Sequence, residues 1–260
     1  MQPSPAEIAR TLVAGRLPGT AHVACRPGPH AVRHATDPMG QILLLTGETD
    51  PMGAALRPTD GAADTAVVLD VTDTPPVAGA PSRGRVWVSG WVSPLDGAPA
   101  RLAALDFADV HATGDLLDVG RGASIYRMEV AEIRLDQSGV TTDVDPDEYA
   151  AAEPDPLDGI ETELLTDLAD HHQPEMSAFI RRQLRDVGHR RFAGEPQVVR
   201  LDRYGFVVSL GTGGPRARLA FPAPVRDRAE LARLLHPVLC RRCASPATAG
   251  RHTSADPAGS

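Results

Sequence analysis

The apolar positions of this chain follow a helical rhythm at the start, a strand rhythm through the first half, and a mixture of the two at the end. In "SPAEIARTLVAGRLPG", Ile8, Leu12 and Val13 share one helical face. Ser4 can cap that helix, Pro5 suits its first position, and Gly15 and Pro18-Gly19 stop it. The period then shortens. "TAHVACR", "QILLLTG", "DTAVVLDVT", "RVWVSGWVS" and "ASIYRMEVAEIRLDQ" are aliphatic and aromatic runs between turn residues, which predicts strands. The last of these alternates polar and apolar residues, as a long half-buried strand does. Bulky residues bracket Gly90, which predicts a bend or bulge of the kind that closes a barrel. "PARLAALDFADV" is helical in pattern, and "TGETDPMGAALRPTDGA" reads as a connecting loop.

Around residue 144 the character changes. "DVDPDEYAAAEPDPLDGIETE" is acidic and proline-rich, and predicts a short helical turn in a linker. After it come two helical patterns, "IETELLTDLADHH" and "PEMSAFIRRQLRDVG". A strand meander follows, "PQVVRLDRYGFVVSLGTGGPRARLAFPAPV", and then a closing helix, "DRAELARLLHPVLCRRC", capped by Asp227. The fold class is therefore α+β. A β-barrel domain spans 1–143, a linker 144–158, a small αα-βββ-α domain 159–243, and a small, polar, disordered tail 244–260.

Composition narrows the chemistry. Aromatic residues make up 4% of the 260 residues, so the core rests on Val, Leu and Ala. The formal charge of -8 argues against nucleic acid as a partner. There is no lysine, so every fixed cation is an arginine, and phosphate-loop or Schiff-base lysine chemistry is excluded. Three cysteines, Cys25, Cys240 and Cys243, form no secreted disulfide framework. With no signal-peptide pattern and no long apolar run, a cytoplasmic protein outside the membrane is expected.

The second unit carries a resemblance. Asp170-His171 at the end of a helix, "DRYG" at 202–205, and Phe221 to Val225 ("FPAPV") stand in the order found in the small α+β domain of haem-utilisation proteins. The β region before it is similar to the FMN-binding split barrel of the pyridoxamine phosphate oxidase-like superfamily. Together they resemble the HugZ-type haem oxygenases and their plastid relatives that bind glutamyl-tRNA reductase. The resemblance implies a homodimer with FMN or haem at the dimer interface and an axial histidine from the C-terminal tail, where His252 stands. It implies haem binding, with haem degradation as the activity. The alternatives are a non-catalytic regulator acting on an enzyme of tetrapyrrole metabolism, or an FMN-dependent oxidoreductase.

Several residues are candidates for a site. His252 is the expected metal ligand to haem iron. Arg26, Arg33 and His34 in the first hairpin can clamp propionates by charge-assisted hydrogen bonds, and His30 shares a strand face with His34. For an FMN phosphate, the loop after "QILLLTG" offers Arg57, Thr46, Thr49 and Thr59. "LTDLADHHQPEM" gathers Asp167, His171, His172 and Glu175. Pro174 interrupts any common helix face, so the stretch reads as the junction of two helices rather than a metal site. His236, Cys240, Cys243 and His252 have Cys-x-x-Cys spacing but sit at a helix end, where incidental cysteines are the plainer reading over zinc or a redox pair. His22, alone in its strand, reads as structural.

Overall fold

The structure is a computed structural model that describes residues 1–47, 49–57, 64–186, 194–211 and 214–240. It opens with α1 (Pro5–Leu12), where Ser4 and Glu7 form a reciprocal capping box. The strands that follow are β1 (Gly19–Val23), β2 (Pro29–Thr36), β3 (Ile42–Gly47), β4 (Thr65–Thr72), β5 (Arg85–Pro94), β6 (Ala123–Gln137) and β7 (Val140–Val144). They pair antiparallel in the order β3-β2-β1-β4-β5-β6-β7, and β3 also pairs with β6. Six strands therefore close into a barrel, and β7 extends it as a hairpin.

Closure depends on Gly90. The β5–β6 register shifts between Ser89 and Gly90, which leaves Ala131 bulged out of the ladder. A Cβ at Gly90 would stand 2.0 Å from the Glu129 carbonyl oxygen, so no other residue lets β6 approach so closely. The barrel is filled by inward residues such as Val23, Leu44, Leu69, Val88 and Leu135, with α1 across one end.

Two helices lie among these strands. The sequence places a plain loop after β3, but α2 (Pro51–Leu56) forms there, because Asp50 accepts from the Met52 N–H and Pro51 sets the first turn. Met52 and Leu56 drop into the barrel core. The expected helix between β5 and β6 is α3 (Gly97–Ala108). Its Ala100, Ala103 and Phe107 cover the outward residues Leu43, Leu45 and Ile125 of β3 and β6.

The stretch 144–158 connects two cores and is packed on both. It holds α4 (Pro146–Ala151), whose Tyr149 is buried in the barrel core and donates to the Gly40 carbonyl at 3.1 Å, while Leu157 belongs to the second core. That second core is built from α5 (Glu161–His171), α6 (Gln173–Asp186), β8 (Pro196–Asp202), β9 (Gly205–Leu210), β10 (Arg216–Ala220) and α7 (Arg228–Leu239), the αα-βββ-α order expected. The three strands pair in the order β10-β9-β8. α5 and α6 meet at His172, and Pro174 sits in the first turn of α6. The "DRYG" turn locks onto "FPAPV": Tyr204 N–H donates to Asp202 at 2.8 Å, Phe221 N–H to the Tyr204 carbonyl at 2.8 Å, and Val225 N–H to the Arg203 carbonyl at 2.8 Å.

The two domains are riveted by charge. Arg200 of β8 pairs with Asp73 of the β4–β5 connection, reaches Glu161 at 3.1 Å, and donates to the Pro81 carbonyl at 2.9 Å. Arg83 pairs with Asp158 and lies 3.1 Å from Glu161. No helix among the described residues is long and apolar enough to cross a membrane.

Candidate functional site

Among the described residues the barrel has one covered flank, under α3, and one bare flank, on β1, β4 and β5. Strand alternation sends Ala21 and Val23 inward and His22 outward. His22 faces Val68 of β4, Val68 faces Ser89 of β5, and Ser89 faces Glu132 of β6. In the next row Ala66 faces Trp91, whose side chain stays 51% exposed. Together with the bulged Ala131 these residues line an open groove of about 390 Å³ that is mostly apolar. On its other side the row of Thr20, Asp70, Trp87 and Arg134 is closed by Arg85, which pairs with Asp70 and lies 4.6 Å above the Trp87 ring.

The end of the groove formed by Val23 and Ala24 leads to two of the expected cations. Arg26 turns back at the tip of the β1–β2 hairpin, its N–H bonded to the Val23 carbonyl at 3.2 Å. Its Nη2 donates to the carbonyl oxygen of Arg57 at 3.3 Å, which ties the hairpin tip to the backbone after α2. Among the described residues neither guanidinium has a carboxylate partner. An outward imidazole and an exposed indole in a mostly apolar groove suit a flat, aromatic group.

The other candidates are separated. Arg33 and His34 are neighbours on one strand and so point to opposite faces. Arg33 turns outward and is held by Asp115 at 2.5 Å, with Thr113 at 3.5 Å. His34 turns into the barrel and is 1% exposed. A Cβ on Gly19 would stand 2.6 Å from its Nδ1, and its Nε2 is buried with no hydrogen-bond partner among the described residues. Burial, reinforced by the neighbouring His111, pushes its pKa down to about 4, so it is a neutral core group, and the pair cannot clamp one ligand. His30, on the same strand face, is half-buried beside Ala21. Thr46, expected for an FMN phosphate, is buried on β3.

His171 lies 3.2 Å from Asp167 on the surface of α5. His172, His236 and Cys240 line a separate groove of about 380 Å³ between α5 and α7, and no cluster of three metal-ligating side chains occurs among the described residues. His252, Cys243, Thr59 and the tail 244–260 lie outside the described residues. The sequence reading gives His22 as structural and assigns Trp91 no role in a site. The alternation that points them outward is readable, but the meeting of four strands in one row is not.

No family model and no curated protein matches the sequence. Solved structures do match. A haem-binding protein from Mycobacterium smegmatis aligns over 94% of this chain and 100% of its own, with 21% identity and a TM-score of 0.68. A protein of unknown function from Agrobacterium tumefaciens aligns over 92% of this chain and 97% of its own, at 15% identity and a TM-score of 0.43. ChuZ from Campylobacter jejuni aligns over 56% of this chain and 61% of its own, at 11% identity and a TM-score of 0.39. The fold, a split β-barrel followed by a small α+β domain, is shared with that haem-binding protein and is the fold class that the sequence predicts.

Proposed function

We propose that this chain binds haem on the bare flank of its barrel. The observation that carries the reading is the outward imidazole of His22 beside the exposed Trp91 in an apolar groove, on a fold shared with a haem-binding protein. In this reading His22 offers a nitrogen to the iron, Trp91 and Val68 shield one face of the ring, and Arg26 and Arg57 hold the propionates. His252 of the tail, the ligand that the sequence resemblance implies, is the alternative to His22. The bare flank also suits a homodimer, in which a second copy would complete the groove and exclude water. Bound haem supplies oxygen activation against its own ring, and these side chains orient and shield it.

The test is the visible spectrum of the purified protein before and after one equivalent of hemin. A sharp, shifted Soret band that is lost in His22→Ala supports the site on the barrel. Loss in His252→Ala instead moves the ligand to the tail. A trace that hemin leaves unshifted sinks the haem reading, and flavin fluorescence quenched by the protein would then favour FMN at the same arginines. Ring opening after addition of a reductant separates a degrading enzyme from a haem-dependent regulator of tetrapyrrole metabolism.

A further inference from the structure

α3 is apolar on two opposite faces. Of its 12 residues only Arg101 and Asp106 carry charge. Ala100, Ala103 and Phe107 are buried against the barrel. On the far side Ala98, Leu102 and Leu105 follow one another at steps of four and three, and the two leucines are 63% and 66% exposed. A surface helix ordinarily turns charged residues to water on that side. The 3₁₀ turn Gly114–Asp118 that comes after α3 exposes a further leucine, Leu117, by 79%. The chain is described throughout from 64 to 186, and nothing in it shields these leucines. The tail 241–260 has no Val, Ile, Leu, Met, Phe, Tyr or Trp to lay on them.

Steps of four and three are the spacing of a seam between two helices. In heptad terms Ala98 and Leu105 take position d and Leu102 takes a. Arg101 then falls at g and Asp106 at e, one on each side of the stripe, while Ala100 and Phe107, packed on the barrel, take the opposite position f. In a parallel pair, a g residue meets the e residue five positions on in the other helix. Arg101 and Asp106 are five positions apart, so two copies of α3 side by side exchange the same ion pair on both sides of the seam. An antiparallel pair would set arginine against arginine and aspartate against aspartate. Among the described residues neither side chain has an ion-pair partner within its own chain.

We infer that the outer face of α3 is a self-association surface, on which a second copy of this chain docks its own α3 in parallel about a twofold axis. The seam is about 18 Å long, so the association is weak, with a Kd on the order of micromolar. It lies on the covered flank, away from the barrel groove, and does not rest on the haem reading.

The test is sedimentation velocity of the full-length protein over about 1 to 100 µM. The mass is expected to double across this range. Leu105→Asp puts a carboxylate into the seam from both copies at once and is expected to hold the protein at the lower mass throughout, with its circular dichroism and hemin spectrum unchanged. Arg101→Asp and Asp106→Arg each set like charges face to face and are each expected to weaken the association about tenfold. The two substitutions together are expected to restore it. Three results would overturn the inference. One is a wild-type mass that stays constant to about 100 µM, which would leave the stripe to a different protein. The second is undiminished doubling in a folded Leu105→Asp protein. The third is a double charge exchange that associates no better than either single one, which would mean that the helices do not pair in parallel.

Discussion

The two flanks of the barrel are made of the same kind of strand and end differently. β3 is buried on both faces along nearly its whole length, because its inward Ile42 and Leu44 meet the core and its outward Leu43 and Leu45 meet Phe107 of α3. β1 is buried only on alternate residues, and of its outward Thr20 and His22 the histidine lines a groove that no helix covers among the described residues. The chain invests in a helix to seal one flank and leaves indole and imidazole uncovered on the other. A flank closed by the chain's own residues serves stability. A bare flank that carries an aromatic and an ionisable side chain is where a ligand or a second copy would bind.

The contrast can be tested by substitution. Phe107→Ala on the covered flank removes a fully buried ring, and about 3–5 kcal/mol of stability is expected to go with it. Urea denaturation reads this directly. If the loss is below about 1 kcal/mol, α3 does not seal the flank.

At the junction with the second domain, Arg200→Ala leaves the buried carboxylate of Asp73 without its ion-pair partner and Glu161 with Arg83 alone. A comparable loss of about 3–5 kcal/mol is expected, with the two domains melting apart in calorimetry. A single unchanged transition would mean that apolar contacts hold the domains together.

The inward and outward histidines separate the flanks by pH. His34 has a folded pKa of about 4 against an ordinary 6.5, so protonation favours the unfolded chain. Its contribution is fully present above about pH 6.5 and is lost as the pH falls from there to about 4, to a total of about 3 kcal/mol. His34→Leu is expected to flatten that part of the stability profile, and His22→Ala to leave it in place. An unchanged slope in His34→Leu would assign the acid sensitivity to other groups. The smallest effect on stability is expected for Trp91→Ala, under about 1 kcal/mol, accompanied by loss of the hemin-induced Soret shift. A large fall in melting temperature would show that Trp91 belongs to the core rather than to a binding face.

Much of this architecture was legible before folding was considered. The Ser4 cap, the Gly90 bulge, the helical "PARLAALDFADV" and the junction at Pro174 are local signals, each set by a few adjacent residues, and each stands where expected. The short α2 was passed over although Asp50-Pro51 announces it, because a six-residue helix has too few apolar positions to show a period. The candidate site was less legible. Arg26 and Arg57 were singled out separately, and their meeting depends on a hairpin tip folding against a connection 31 residues away. Arg33 and His34 are grouped with Arg26 as cations of the first hairpin, but adjacency in a strand sends them to opposite faces.

By itself, then, the sequence determined the period of each element, the turns and caps between them, the division into a barrel and a small α+β unit, and a cation inventory confined to arginine. The tertiary structure alone decided which face of each strand would be covered. A strand's alternation says that two faces exist, but burial is set by what packs from elsewhere in the chain. Only closure of β3 onto β6, with α3 laid across that seam, turned one set of outward residues into core. Among the described residues nothing is laid across β1, β4 and β5, so His22 and Trp91 are left facing outward.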